Sequence, residues 1–143
     1  MKWQIVQAQL PMVKESQETK IQSTQDVTTL CQDIINLAQE SFHVLTINCR
    51  DYLIDRLLIS LGLIDVCLVH PREVFRPAIL DGAKAIICVH NHPTGDSNPS
   101  ADDIRITRQL IQASKILEIQ LRDHVIIGHT TFSLRESGIV DFT

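Results

Sequence analysis

His90 and His92 stand one residue apart at the end of an apolar run, and Ser100, Asp102 and Asp103 follow beyond seven residues that include Pro93, Gly95 and Pro99. In extended backbone, residues two apart point to the same side, with α-carbons roughly 6.5–7 Å apart. Two imidazoles so placed converge on one point past the strand end. Neutral imidazole pairs of this kind bind divalent metals, and Zn²⁺ accepts them readily. Catalysis by such an ion needs a third protein ligand and an open position for water. Asp103, on the first turn of the next helix, is the expected third ligand. Asp102 points about 100° away around that helix. Asp96 lies on the loop and is the weaker choice.

Each piece also has a plain structural explanation. Ser100-x-x-Asp103 is close to a capping box, with Ser100 as N-cap and Asp103 as an acid in the first turn. A lone histidine is more often structural than a ligand. The joint pattern, His-x-His then seven residues then Ser-x-x-Asp, is far harder to reach by chance than any part of it.

The surrounding elements must bring these groups together. "AKAIICVH" (83–90) is a continuous apolar run, as expected of a central strand covered on both faces. The loop "NHPTGDSNP" is a shaped turn, and a long helix starts at Ser100 with Ile106, Leu110, Ala113 and Leu117 as its buried stripe. Upstream, Val27, Leu30, Cys31, Ile34, Leu37 and Ala38 share one face of a first helix, capped by Ser23 or Thr24 with Asp26 in its first turn. "FHVLTIN" (42–48) and "YLIDRLLIS" (52–60) form a hairpin around the turn "CRD". "IDVCLVH" (64–70) reads as a further strand. Pro71 opens a short helix to about Leu80, with Pro77 inside it and Gly82 past its end. "IQLRDHVIIG" and "TTFSLRE" close the chain as strands. Residues 1–21 read as an N-terminal extension in which "WQIVQAQL" adds an edge strand, and 22–143 as one domain. The alternation predicts a single α/β domain with a mixed β-sheet flanked by helices.

Length and composition agree. A chain of 143 residues, 44% hydrophobic, suits one compact domain that needs no disulfide or structural metal to fold. The net charge of −4 argues against a dedicated nucleic-acid binder. Arg105, Arg108 and Lys115 read as a solvated helix face. Cys31, Cys49, Cys67 and Cys88 form no CxxC pair and are expected as buried free thiols. "MKWQIVQAQLPMVKE" lacks the apolar core of a signal peptide, and no stretch is apolar enough to span a membrane, so a cytoplasmic protein is expected.

The pattern His90-x-His92-x7-Ser100-x-x-Asp103 resembles the JAMM motif of MPN-plus metalloproteins. The phrases "VHPREVF", "HNHPTGDSNPSADD", "DHVIIG" and "FSLRESG" are similar to the RadC-type branch of that family, and the resemblance runs from about Ile21 to the C-terminus. It implies a cytidine-deaminase-like α/β architecture. It also implies zinc held by His90, His92 and Asp103, and hydrolysis of peptide or isopeptide bonds. The family mechanism needs an upstream glutamate, which by position falls on Glu40 as general base. Read from the sequence alone, Glu40 is a solvated acid at the end of the first helix. Ser100 would donate to the developing oxyanion. Full-length members of the branch carry an N-terminal helix-hairpin-helix region that is not seen in this sequence, so the chain resembles the catalytic-type domain alone. "SLG" at Gly62 and Thr94 depart mildly from the family wording, outside the ligand set.

Glu73 competes with Glu40 by proximity to the loop, but it sits on the "HPREVF" helix. Cys88 shares parity with the histidines, and core packing explains it. A zinc deaminase wants His-x-Glu and a later Pro-Cys-x-x-Cys; here Asn91-His92 replaces the glutamate and no CxxC follows. His124 reads as a satisfied structural histidine, His70 as a cap or turn residue, and His43 and His129 carry no signal. The competing function is a non-catalytic or DNA-repair-associated accessory domain, with DNA as partner in place of a peptide or protein substrate.

Overall fold

The computed structural model describes residues 19–62 and 69–143. The expected edge strand in "WQIVQAQL", most of the expected strand at 64–70 and Cys67 lie outside them. Val69 and His70, at the end of that stretch, are loop, and His70 is the residue before the helix that Pro71 opens.

The chain runs α1 (Thr24–Leu30), a single 3-10 turn (Gln32–Ile34), β1 (Ser41–Ile47), β2 (Leu53–Leu61), α2 (Pro71–Asp81), β3 (Ala85–Asn91), α3 (Ala101–Leu117), β4 (Gln120–Ile127), β5 (Thr131–Ser133) and α4 (Leu134–Ser137). The five strands form one mixed sheet in the order β2-β1-β3-β4-β5. β3 and β4 are parallel and joined through α3; the other neighbours are antiparallel. β3, central and wholly buried, is the apolar run foreseen in the sequence. Among the described residues no helix is long and apolar enough to cross a membrane.

Alternation along β3 divides the core in two. Ile86 and Cys88 pack with Val74, Phe75 and Ala78 of α2 and Leu110 and Ile111 of α3. Ala85, Ile87 and Val89 pack on the other side with Val27 of α1 and with Ile21 and Ile34. Period two then assigns the last residues of the strand: His90 faces the α2/α3 side and Asn91 the α1 side.

Three elements differ from the sequence reading. The first helix stops at Leu30, because Cys31 leaves helical geometry (φ −107°, ψ 21°). Its β-branched residues give it little intrinsic stability. Leu37 and Ala38 are consequently exposed, and Glu40 lies in the connection before β1, not on a helix end. The buried stripe of α3 is rotated from the expected one, with Thr107, Leu110, Ile111 and Ser114 inside and Leu117 exposed. "TTFSLRE" is strand only to Ser133, whose hydroxyl accepts the Glu136 amide and starts α4. Cys31 and Cys88 are buried free thiols as expected, whereas Cys49 is exposed.

Candidate metal centre

His90 is 1% exposed and stands opposite Phe42 in the β1–β3 register. The Phe42 ring stacks on it, with centroids 5.8 Å apart and planes 14° off parallel. His92 is the first residue past the strand, and its amide still donates to the Ile127 carbonyl at 3.0 Å. The loop then folds back on the β4–β5 turn. Gly95 (φ 86°) accepts the His129 amide, and a Cβ there would collide with the His129 ring. Ser97 and Thr130 hydroxyls meet at 3.0 Å. This closure returns the start of α3 to the end of β3. Ser100 and Asp103 form the reciprocal capping box: the Asp103 amide donates to Ser100 Oγ (3.0 Å) and the Ser100 amide to Asp103 Oδ2 (2.9 Å). Asp103 precedes Thr107, Leu110, Ile111 and Ser114 at helical spacing, so it projects from the inward face of α3.

The carboxylate arrives at the histidines. His92 Nε2 lies 3.0 Å from Asp103 Oδ2, His90 Nε2 3.3 Å from Asp103 Oδ1, and the two Nε2 atoms 3.1 Å apart. Glu40 Oε1 is 3.6 Å from His90 Nε2. One ligating atom from each of Glu40, His90, His92 and Asp103 lies within 4.8 Å of all the others, and no other such group occurs among the described residues. Tetrahedral ligands at zinc bond lengths lie roughly 3.3–3.6 Å apart. The separations among His90, His92 and Asp103, measured to one or the other carboxylate oxygen, come close to that, so the residues fit one small divalent ion, with the Glu40 side left over.

The proton inventory favours the same use. The backbone carbonyl of Asp96 can only accept, so His92 Nδ1, 2.7 Å away, carries a proton, and in the neutral ring Nε2 is the lone-pair nitrogen. Thr107 Oγ1 donates to the Asp103 carbonyl at 2.7 Å, and so accepts from His124 Nδ1 at 2.6 Å. Neutral His124 then accepts at Nε2 from His90 Nδ1, at 2.7 Å. In the neutral ring, His90 Nε2 is thereby also the lone-pair nitrogen. Burial drives His124 well below its usual pKa, with His90 adding to the effect, which keeps it neutral. Outer hydrogen bonds of this kind fix the tautomer and orientation of metal-ligating histidines.

Burial works against the charged Asp103, yet the His90 and His92 rings beside it hold its carboxyl well below the usual carboxylate range. The Asp103 hydrogen bond in turn raises His92, against burial. The cluster is thus a carboxylate paired with imidazole nitrogens, and a metal bound there would displace any proton shared between them.

The structure brings Glu40, His90, His92 and Asp103 together, and Ser100 adjoins them as the helix cap. Asp102 and Glu73 stay out: Asp102 is solvated beside Arg105, and Glu73 pairs with Arg72. The Asp96 side chain turns to Asn98. Cys88 is packed in the core, and burial pushes its thiol up. His124 is more than a structural histidine, since it holds His90. Thr107 was missed, although its place four residues after Asp103 on an inward face was a signal.

Comparison with known proteins agrees. Residues 21–139 match the family of RadC-like JAB domains. A UPF0758 protein from Halalkalibacterium halodurans is 38% identical over 133 residues, 92% of this chain and 57% of that protein. One from Caldanaerobacter subterraneus subsp. tengcongensis is 40% identical over 135 residues, 93% of this chain and 58% of that protein. One from Geobacillus sp. strain WCH70 is 46% identical over 110 residues, 76% of this chain and 49% of that protein. The chain spans about half the length of these curated relatives. With most of the chain matched and the resemblance drawn from the motif borne out, the chain belongs to the RadC-like JAB domain family.

Proposed function

We propose that this domain is a zinc-dependent hydrolase of peptide or isopeptide bonds, acting on a peptide or protein substrate. The observation that carries the reading is the convergence of Glu40, His90, His92 and Asp103 on one point. His90, His92 and Asp103 would hold the ion. When bound, zinc supplies Lewis-acid polarisation of the scissile carbonyl and brings the pKa of water toward neutrality.

The remaining work falls to the chain. No described side chain hydrogen-bonds the Glu40 carboxylate, and it is 32% exposed, so water reaches it. Glu40 takes a proton from the attacking water and returns it to the leaving amine. The Ser100 hydroxyl oxygen accepts the Asp103 amide, which leaves its proton to donate to the oxyanion of the tetrahedral state. The buried thiols Cys31 and Cys88 suit a reducing compartment, in keeping with a cytoplasmic enzyme.

The test is hydrolysis by the zinc-loaded chain of a panel of unstructured peptides and lysine-linked isopeptide conjugates. The reading expects cleavage that a chelator abolishes and added zinc restores. Cleavage indifferent to chelation, or none across both substrate classes, contradicts it.

A further inference from the structure

We propose that Asn91, between the two histidines, is the positioning residue for Glu40. The inference rests on the reading of Glu40 as general base. Asn91 ends β3 and is 0% exposed. Its side chain lies on the sheet face opposite His90. There its Oδ1 accepts the Ser41 amide at 2.7 Å and the Ser41 hydroxyl at 3.1 Å, while its Nδ2 donates to the Gln39 carbonyl at 3.0 Å. A backbone amide can only donate and a carbonyl can only accept, so these partners fix which way the Asn91 amide points.

The two residues held are those on either side of Glu40. The Glu40 carbonyl is fixed separately by the Gly62 amide at 2.6 Å. Gly62 packs close: a Cβ there would lie 3.2 Å from that carbonyl oxygen and 3.4 Å from Glu40 Cβ. The Glu40 carboxylate has no hydrogen-bonding side chain of its own among the described residues. Its place 3.6 Å from His90 Nε2 is therefore set through its backbone. Asn91 joins that backbone to the tripeptide carrying two of the metal-facing nitrogens. Base and ligands move as one unit, and a shift of about 1 Å in a reacting group is enough to cost a large factor in rate.

Two measurements on Asn91→Ala and Asn91→Asp test this, and neither requires turnover. In the metal-free protein, amide hydrogen exchange at Ser41 should quicken about 10-fold or more in Asn91→Ala, while the amides of β4 keep their protection. Asn91→Asp keeps the acceptor and should restore Ser41 protection. In the Co²⁺-loaded protein, the paramagnetic shift of the Glu40 carboxylate carbon, assigned by its loss in Glu40→Gln, should collapse in Asn91→Ala with one Co²⁺ still bound. Unchanged Ser41 exchange, or an unchanged Glu40 shift, overturns the proposal. Wild-type protein that takes up no Co²⁺ would instead overturn the metal reading, and the exchange arm would still decide the clamp.

Discussion

The segment from His90 to Asp103 and the connection that carries Glu40 reach the same point by different physics. The first is self-supporting. A capping box, a carbonyl on His92 Nδ1 and the Thr107–His124 chain behind His90 orient each metal-facing atom through its own side chain. Among the described residues the Glu40 carboxylate has no such support; Gly62 bonds its carbonyl, and Asn91 bonds its neighbours Gln39 and Ser41. The difference suits the tasks proposed for them. A ligand must hold one direction, whereas a base must accept a proton, release it and stay open to water.

Breaking the ligand side should have the largest effect. His92→Ala removes one of three metal-facing groups, and metal binding should fall from stoichiometric to undetectable at micromolar zinc. The domain should stay folded, because the core does not include His92. Isothermal titration with zinc and circular dichroism check the two halves. Loss of cooperative unfolding on zinc removal would mean the metal is structural.

Breaking the base side should leave binding alone. Glu40→Gln keeps the shape and removes the proton acceptor, so hydrolysis should fall about 10²–10⁴-fold while zinc affinity changes little. Full turnover by Glu40→Gln on a verified substrate would remove Glu40 from the mechanism.

The floor beneath the Glu40 segment predicts a pH effect. His43 donates to Ser41, itself bonded to Asn91, and burial lowers the His43 pKa to about 4. The unfolded chain, near 6.5, takes up the proton first. The contribution of His43 is therefore complete above about pH 6.5 and is lost as pH falls toward 4, by about 2–3 kcal/mol. Urea unfolding at pH 7 and pH 4.5 should show this loss shrinking in His43→Asn.

Two smaller changes sharpen the ligand side. Thr107→Val removes the acceptor behind His124 and should weaken zinc binding about 10–100-fold with the fold kept. Ser100→Ala removes the cap of α3 and should cost about 1 kcal/mol in thermal or urea unfolding.

The same contrast explains what the sequence discloses. His90, His92, Ser100 and Asp103 lie within one short stretch, where strand alternation, loop residues and cap spacing are local and legible. The β3 run and the mixed sheet follow from equally local periodicity. Glu40 was placed only by resemblance, because nothing near it in the chain marks it for the cluster, and the expected helix leading to it stops ten residues earlier. Asn91 enters the sequence reading only where it departs from the zinc-deaminase pattern. Its partners, Gln39 and Ser41, lie 52 and 50 residues away in sequence and on the opposite face. The α3 stripe was misread because Thr107 and Ser114, polar residues that bond inward, fill positions that hydrophobic counting passes over.

The central claim is that this centre binds one metal ion through nitrogen and oxygen alone. X-ray absorption at the zinc edge, on protein loaded with one equivalent, tests it most directly. The expected spectrum shows two imidazole nitrogens at about 2.0–2.1 Å, with the remaining ligands oxygen and no sulfur. A sulfur shell at about 2.3 Å, or zinc that dialysis removes completely, would contradict it.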